Sequence, residues 1–218
     1  MKEIKNIVFD LGGVIVDLDI RTCIMAFDQL GIKPKDITLE ELSRTGIPKD
    51  WEMVHLMHAM DVGEMDTREF IDIMLASTTP GTTEQQIADA FNSIIRLPRQ
   101  RLEWLQELKQ HYRLFLLSNL SPLHWEETQQ QAARLGIPIE SCFHQTFLSY
   151  QLRMVKPDPR IFQHLIATTG VVPEETLYID DLPANIAAGK AAGLVAHKID
   201  CNMLDAEMPK LFPEIINK

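Results

Sequence analysis

A short apolar segment near the N-terminus constrains this chain more than any other feature, because it runs directly into a carboxylate and two glycines. The segment Ile7-Val8-Phe9 predicts a buried β-strand, and Asp10, Leu11 and Gly12-Gly13 follow it. Glycines at that point let the backbone turn sharply and approach a ligand closely. In an open α/β sheet, ligands bind beyond the carboxyl ends of the strands. Asp10 is therefore placed for chemistry, although an aspartate that only caps a turn would look the same.

Composition bounds the classes of protein to consider. The chain has 218 residues, which is enough for one large domain or a core domain with a smaller companion. A net charge of −10 makes it a poor general binder of nucleic acid or anionic membranes, so we expect neither partner. Three widely spaced cysteines favour reduced thiols and a cytoplasmic location. No apolar stretch approaches the ~20 residues of a membrane span, and the N-terminal one is too short for a signal peptide.

The chain divides into two segments with different patterns of predicted secondary structure. Residues 21–96 have helical spacing of apolar side chains, with no convincing strand among them, and Thr83 to Ile95 is predicted to be the last of these helices. From residue 97 onward strands and helices alternate, which predicts a parallel sheet covered on both faces. We therefore expect an α/β fold. Its Rossmann-like core comprises residues 1–16 and 97–218, and a helical cap is inserted at residues 17–96.

Polar residues stand at the ends of three predicted strands. These are Asp10, the pair Ser118-Asn119 and the pair Asp180-Asp181. Because parallel strands have their carboxyl ends on one edge, these groups are expected to converge, and Lys156 lies before a proline in an extended segment that could join them. Taken singly, Ser118 could satisfy a turn, Asp181 could cap a helix and Lys156 could be a solvated surface residue.

Three carboxylates in one pocket need a compensating charge. Each close pair costs about 4 kcal/mol at an effective dielectric constant near 20. The site therefore requires a divalent cation or raised pKa values, and an oxygen-rich site with few protein ligands suits Mg²⁺. Lys156 would add a second positive charge. An aspartate kept ionised in this way can act as a nucleophile on phosphorus.

The order of these motifs resembles that of haloacid dehalogenase-like (HAD) hydrolases over nearly the whole chain. A helical insertion after the first motif resembles the C1 cap of the branch with phosphoglycolate phosphatase and β-phosphoglucomutase. The Asp-Leu-Gly form, followed by Val16-Asp17-Leu18-Asp19, is most similar to sugar-phosphate phosphatases that act on glucose 1-phosphate. The resemblance implies a role for each motif residue: Asp10 as nucleophile and metal ligand, the Gly12 carbonyl and Asp181 as Mg²⁺ ligands, Asp180 as a ligand directly or through water, Ser118 and the Asn119 backbone as phosphate binders, and Lys156 as the catalytic cation that neutralises the phosphate.

One position departs from the family pattern. Most phosphatases of this family carry a second aspartate two residues after the nucleophile as general acid and base, and here that position is Gly12. General acid–base help is typically worth ~10²–10⁴-fold. Asp17 or Asp19 could replace the acid, a substrate with a good leaving group could react without it, or the protein could be slow or inactive.

Three functions remain open at this level. The leading one is a Mg²⁺-dependent phosphatase for a small phosphorylated metabolite, a sugar phosphate in the first instance. A 2-haloacid dehalogenase would use the same nucleophile without a metal, but two further carboxylates would then repel its anionic substrate. A binding protein without turnover is supported only by Gly12. The cap would set the substrate, and we expect it to move as a lid on linkers near residues 16–20 and 96–98; its polar candidates are Arg21, Trp51, Glu52, His55 and His58.

Overall fold

The computed structural model describes residues 3–32 and 52–216, and Trp51 lies outside these ranges. Two short 3₁₀ turns, Ile139–Cys142 and Pro173–Glu175, accompany the regular elements. The strands are β1 (Asn6–Phe9), β2 (Asp17–Leu18), β3 (Ile95–Arg96), β4 (Arg113–Ser118), β5 (Gln145–Leu148), β6 (Thr176–Asp180) and β7 (Val195–Lys198). The helices are α1 (Ile20–Gln29), α2 (Glu52–Asp61), α3 (Thr67–Ser77), α4 (Glu84–Asn92), α5 (Arg99–Lys109), α6 (Pro122–Arg134), α7 (Ser149–Leu152), α8 (Pro159–Thr169), α9 (Pro183–Ala191), α10 (Leu204–Leu211) and α11 (Pro213–Ile216).

Five strands form one parallel sheet in the order β5-β4-β1-β6-β7, which confirms the predicted α/β class. The predicted first strand is central and fully buried. Its side chains alternate between the two faces, as strand geometry requires: Ile7 and Phe9 pack in one apolar cluster, and Val8 packs in the other. Both faces of β1 are therefore covered, and its carboxyl end opens between β4 and β6.

Local capping explains several of the helix boundaries. Ser121 accepts a hydrogen bond from the His124 N–H at the start of α6, with Pro122 in the first turn. Asp66 caps α3 in the same way by accepting from the Glu69 N–H. Among the described residues, no helix is both long enough and apolar enough to cross a membrane.

The prediction that a helix runs from Thr83 to Ile95 is wrong at its end. Helix α4 ends at Asn92, and Ile95–Arg96 forms β3, which pairs antiparallel with β2. The prediction that residues 21–96 contain no strand was therefore also wrong. The reason is non-local, because a strand of two residues is stabilised by its partner 79 positions away, Asp17 opposite Arg96, and not by its own sequence pattern.

The helices α1 to α4 share an apolar cluster that also takes in one side chain from the sheet-bearing part of the chain. Leu123, in the first turn of α6, packs with Phe91 and other buried residues of these helices. The neighbouring His124 ring stacks on Phe91, with ring centroids 4.1 Å apart and planes 5° apart. The first turn of α6 therefore anchors the helical segment beside the end of β4.

Candidate active site

The strand order brings the predicted motif residues to one edge of the sheet. Asp10 follows β1, Ser118 ends β4 and Asp180 ends β6, and these three strands are neighbours. Lys156 joins them, because its Nζ lies 2.8 Å from Asp10 Oδ1 and 2.7 Å from Asp180 Oδ2. All four side chains are buried. Residues far apart in the chain thus form a single cluster of charges.

Lys156 is held in place by its backbone. The Asn119 side chain accepts a hydrogen bond from the Lys156 N–H and donates one to the Lys156 carbonyl, both at 2.8 Å. Burial works against the charged form of Lys156, but Asp10 and Asp180 outweigh it and hold the pKa of Lys156 above its usual value. The alternative of a solvated surface lysine is therefore wrong.

Asp180 is fully buried and fully hydrogen-bonded. Burial favours its neutral form, but Lys156 and the hydrogen bonds outweigh burial and lower the pKa of Asp180. Two of its partners, Tyr178 and Asn185, were not predicted from the sequence. Tyr178 could have been found, because side chains two residues apart on a strand point to the same face. The donors are the Lys156 Nζ, the Tyr178 hydroxyl, the Leu182 N–H at 2.8 Å and the Asn185 amide, which lies 3.1 Å from each oxygen.

Asp181 lies beside the loop that follows the first strand. Helix α9 begins after Leu182 without a side-chain cap, so the interpretation of Asp181 as a helix cap is wrong. Gly13 has φ of +74°, and a Cβ there would lie 2.7 Å from Asp181 Oδ2, so both backbone conformation and space require glycine.

The carboxylates form a set that suits a hard divalent cation. One oxygen each from Asp10, Asp180 and Asp181 lies within 4.8 Å of the others. Burial raises the pKa of Asp181, and the charge of Asp180 adds to the effect. A bound cation would offset the repulsion between these carboxylates. Mg²⁺ prefers a few carboxylate ligands, with water molecules completing its coordination shell. The donor set fits the Mg²⁺ that the sequence motifs imply.

Asp10 has the environment of a reactive carboxylate. Burial raises the pKa of Asp10 to about 7, while the attraction of Lys156 opposes the rise. The Leu11 N–H donates to Oδ1 at 2.7 Å, which orients the carboxyl group. A perturbed, buried carboxyl beside a lysine and two further carboxylates is typical of a functional site.

The candidate replacements for the missing acid are engaged elsewhere. Asp17 pairs with Arg101, whose Nη2 lies 2.7 Å from Oδ1, and with Arg96. Asp19 caps α1 by accepting from the Thr22 N–H and hydroxyl at 3.0 and 2.8 Å, and these hydrogen bonds lower the pKa of Asp19. Asp19, stabilised as an anion, is therefore a poor proton donor.

Comparisons with known proteins agree with this geometry. The model of the haloacid dehalogenase-like hydrolase family matches residues 4–193. The D-ribitol-5-phosphate phosphatase of Bacteroides thetaiotaomicron is 34% identical over 196 residues, which cover 87% of this chain and 89% of that protein.

Solved structures extend the similarity to the fold. A crystal structure of a HAD family enzyme from the same organism has a TM-score of 0.81 and 28% identity, and the match covers 97% of this chain and 99% of that one. A second structure of that enzyme, in complex with magnesium and inorganic phosphate, has a TM-score of 0.76 and 28% identity and covers 91% and 95% of the two chains.

The family match covers most of the chain, and the buried motif residues Asp10, Lys156 and Asp180 meet at the carboxyl edge of the parallel sheet. This chain belongs to the haloacid dehalogenase-like hydrolases.

Proposed function

We propose that this hydrolase is a Mg²⁺-dependent phosphatase of a small phosphorylated sugar or polyol. The observation that carries the proposal is Lys156, which is buried between Asp10 and Asp180 at the carboxyl edge of the sheet. A cation there matches a phosphate group approaching the end of β1. The similarity to a ribitol-5-phosphate phosphatase makes a pentitol phosphate the first substrate to assay.

The roles of the residues follow from their places. The Asp10 carboxylate attacks phosphorus while the bond to the substrate alcohol breaks, and water then hydrolyses the aspartyl-phosphate and releases inorganic phosphate. Ser118 and the Asn119 N–H hold phosphate oxygens, and Lys156 neutralises them. The Mg²⁺ ion, held by Asp10, Asp181 and the Gly12 carbonyl, would stabilise negative charge on the phosphoryl oxygens. Asp180 orients Lys156, since its oxygens already accept four donor groups.

Metal dependence tests the phosphatase directly. We expect EDTA to stop phosphate release and added Mg²⁺ to restore it. Asp181→Ala should raise the Mg²⁺ concentration for half-maximal activity by about 10–100-fold, because a metal contact is lost. The measurement is phosphate release against Mg²⁺ concentration.

The matched control is Asp200→Ala, which removes an exposed carboxylate that pairs with Lys198. It should leave the Mg²⁺ requirement unchanged. Phosphate release that is insensitive to EDTA would refute the metal-dependent mechanism, and halide release from a 2-haloacid in its place would make the protein a dehalogenase.

Gly12→Asp tests the missing acid. Gly12 is outside the left-handed region, and a Cβ there would meet Leu18 Cδ1 at 3.4 Å, an ordinary contact, so the backbone and the first side-chain carbon tolerate the substitution. We expect this variant to gain about 10²-fold or more on a primary-alcohol phosphate and little on an aryl phosphate, whose leaving group needs no proton. Steady-state rates on the two substrates measure the difference.

A folded Gly12→Asp protein without gain, together with a wild-type rate that does not depend on the leaving group, would mean that another acid already works in the pocket. Asp17→Asn and Asp19→Asn would then identify it. A wild-type protein that binds phosphorylated metabolites but releases no phosphate would instead support the binding protein.

Residues 17–96 act in this proposal as a cap that closes over the site. Helix α4 is tied to α6 by the stacking of the His124 ring on Phe91 and by the His124 Nε2, which lies 3.3 Å from the Phe91 carbonyl oxygen, whereas α2 meets the sheet domain through the hydrogen bond from the Ser149 hydroxyl to the Asp61 carbonyl. Closure should therefore pivot near α4 and move α2 most. We expect Mg²⁺ with inorganic phosphate to slow amide exchange more in α2 than in α4. Equal exchange with and without phosphate in both helices would contradict a moving cap.

A further inference from the structure

Asp61, the last residue of α2, is placed where a carboxylate is locally unfavourable. The C-terminal end of a helix carries partial negative charge, which repels an acidic side chain. Burial raises the pKa of Asp61 to about 7, and no charged group of the described residues compensates it. Across residues 3–32 and 52–216, its carboxyl group has no hydrogen-bond or ion-pair partner. The helix dipole, burial and the lack of a partner each make this carboxyl group unfavourable for stability. Such a residue is more readily explained by function than by folding.

The position of Asp61 relative to the phosphate-binding loop is well defined. The Ser149 hydroxyl donates to the Asp61 carbonyl at 2.5 Å, and the same Ser149 oxygen accepts from the Leu120 N–H at 3.1 Å. Leu120 directly follows Asn119 in the loop after β4. Asp61 is thus linked by one shared hydroxyl group to the loop that carries the phosphate-binding residues.

The segment after α2 is pressed against the sheet domain. A Cβ at Gly63 would collide with the Tyr150 carbonyl oxygen, so this approach is possible only for glycine. Asp61 itself remains partly exposed. Asp61 therefore lies at the seam between the helical segment and the strand edge.

Strand order sets the reach of this carboxyl group. Ser149 follows β5, and β5 is two strands from β1, so the Asp61 anchor lies about 10 Å from the strand that carries Asp10. A phosphate group at the end of β1 is too far away for contact. A carbon chain attached to that phosphate and directed along the strand edge would reach Asp61 with its hydroxyl groups.

We propose that Asp61 is a specificity-determining residue whose carboxyl group hydrogen-bonds hydroxyl groups of the carbon chain of the phosphorylated substrate. The inference rests on the proposed function, and it names the residue that distinguishes a polyol or sugar phosphate from other phosphate esters. A site that hydrogen-bonds a substrate hydroxyl group discriminates strongly against analogues that lack it, because its own polar group is then left unpaired.

The test compares Asp61→Leu and Asp61→Asn with wild type in two measurements. Binding of ribitol 5-phosphate and of inorganic phosphate is measured by calorimetry with EDTA in place of Mg²⁺, so that the substrate is not hydrolysed, whereas turnover is measured with Mg²⁺. Turnover is measured with ribitol 5-phosphate and with p-nitrophenyl phosphate, which has no aliphatic hydroxyl groups. Glu64→Leu is the matched control, because Glu64 is an exposed carboxylate in the adjoining loop.

Asp61→Leu should weaken ribitol 5-phosphate binding about tenfold or more, while inorganic phosphate binding and turnover of p-nitrophenyl phosphate stay within about twofold. The affinity of Asp61→Asn for ribitol 5-phosphate should lie between those of wild type and Asp61→Leu, and the affinity of Glu64→Leu should equal that of wild type. The melting temperature of Asp61→Leu should not fall, whereas a merely structural role would lower it.

Three results would overturn the inference: equal loss for both binding ligands, no loss for either, or a wild type that binds ribitol 5-phosphate no more tightly than inorganic phosphate. A fall in turnover with unchanged binding would also overturn it and point to proton transfer. The binding measurement does not depend on turnover. If the protein releases no phosphate, the proposed phosphatase function is refuted, and the binding data alone then decide whether Asp61 contacts the carbon chain.

Discussion

Asp10→Asn will lower phosphate release by about 10³-fold or more, because an amide neither attacks phosphorus nor carries the charge that a metal ligand needs. The protein should remain folded. Asparagine has nearly the same shape, the Leu11 N–H can still donate to its oxygen, and Lys156 keeps Asp180 at 2.7 Å as a charged partner. The measurement is phosphate release beside circular dichroism and thermal melting.

The control for this variant is Asp66→Asn. Asp66 caps α3 on the surface, and asparagine caps a helix about as well, so activity and stability should both be retained. If Asp10→Asn keeps its circular dichroism spectrum and more than a tenth of wild-type activity, Asp10 is not the nucleophile. Loss of the fold together with activity would show a structural role instead.

Arg101→Met will have the largest effect on stability, with an expected loss of about 3–5 kcal/mol in the free energy of unfolding. The Arg101 side chain is 1% exposed, and it donates to the carbonyls of Val14 and Ile15 at 2.9 and 3.2 Å. It also pairs with Asp17 at 2.7 Å and with Asp205 at 2.8 Å. Methionine would fill much of the volume but would remove the buried ion pair with Asp17 and leave two carbonyl groups without their donor.

The Arg101 variant should melt about 6–20 °C lower than wild type. Arg96→Met is the matched control: Arg96 contacts the same Asp17 carboxylate, but its side chain is 74% exposed, so its removal should cost less than about 1 kcal/mol. Chemical denaturation of both variants measures the difference. Equal losses, or a stable Arg101→Met, would mean that the arginine does not hold the loop after Asp10.

The motif residues could be predicted from the sequence because parallel topology leaves them little freedom. Alternating strands and helices require a parallel sheet, whose strands end on one edge, so a residue at the end of β1 must lie near one at the end of β6. Asp10, Ser118 and Asp180 are brought together on this ground alone. Helical periodicity also predicted α4, apart from its C-terminal end.

Contacts between residues distant in the chain could not be predicted in the same way. The two-residue strands β2 and β3 exist only through each other, and Arg101 looks like an ordinary charged helix residue until the fold buries it beside Asp17. Five polar candidates were predicted from the sequence in residues 17–96, and Asp61 was not among them. Its proposed role depends on burial without a partner among the described residues, which is a property of the packed chain and not of the residue type.

The sequence by itself therefore determined the fold class and the convergence of polar residues at the strand ends, because these follow from local periodicity and from the geometry of a parallel sheet. Only the tertiary structure decided the protonation tendencies, the ion pair of Asp180 with Lys156, the ion pairs of Asp17 and the position of Asp61 beside Ser149. Each of these depends on the low dielectric constant and the fixed distances that arise once the chain is packed.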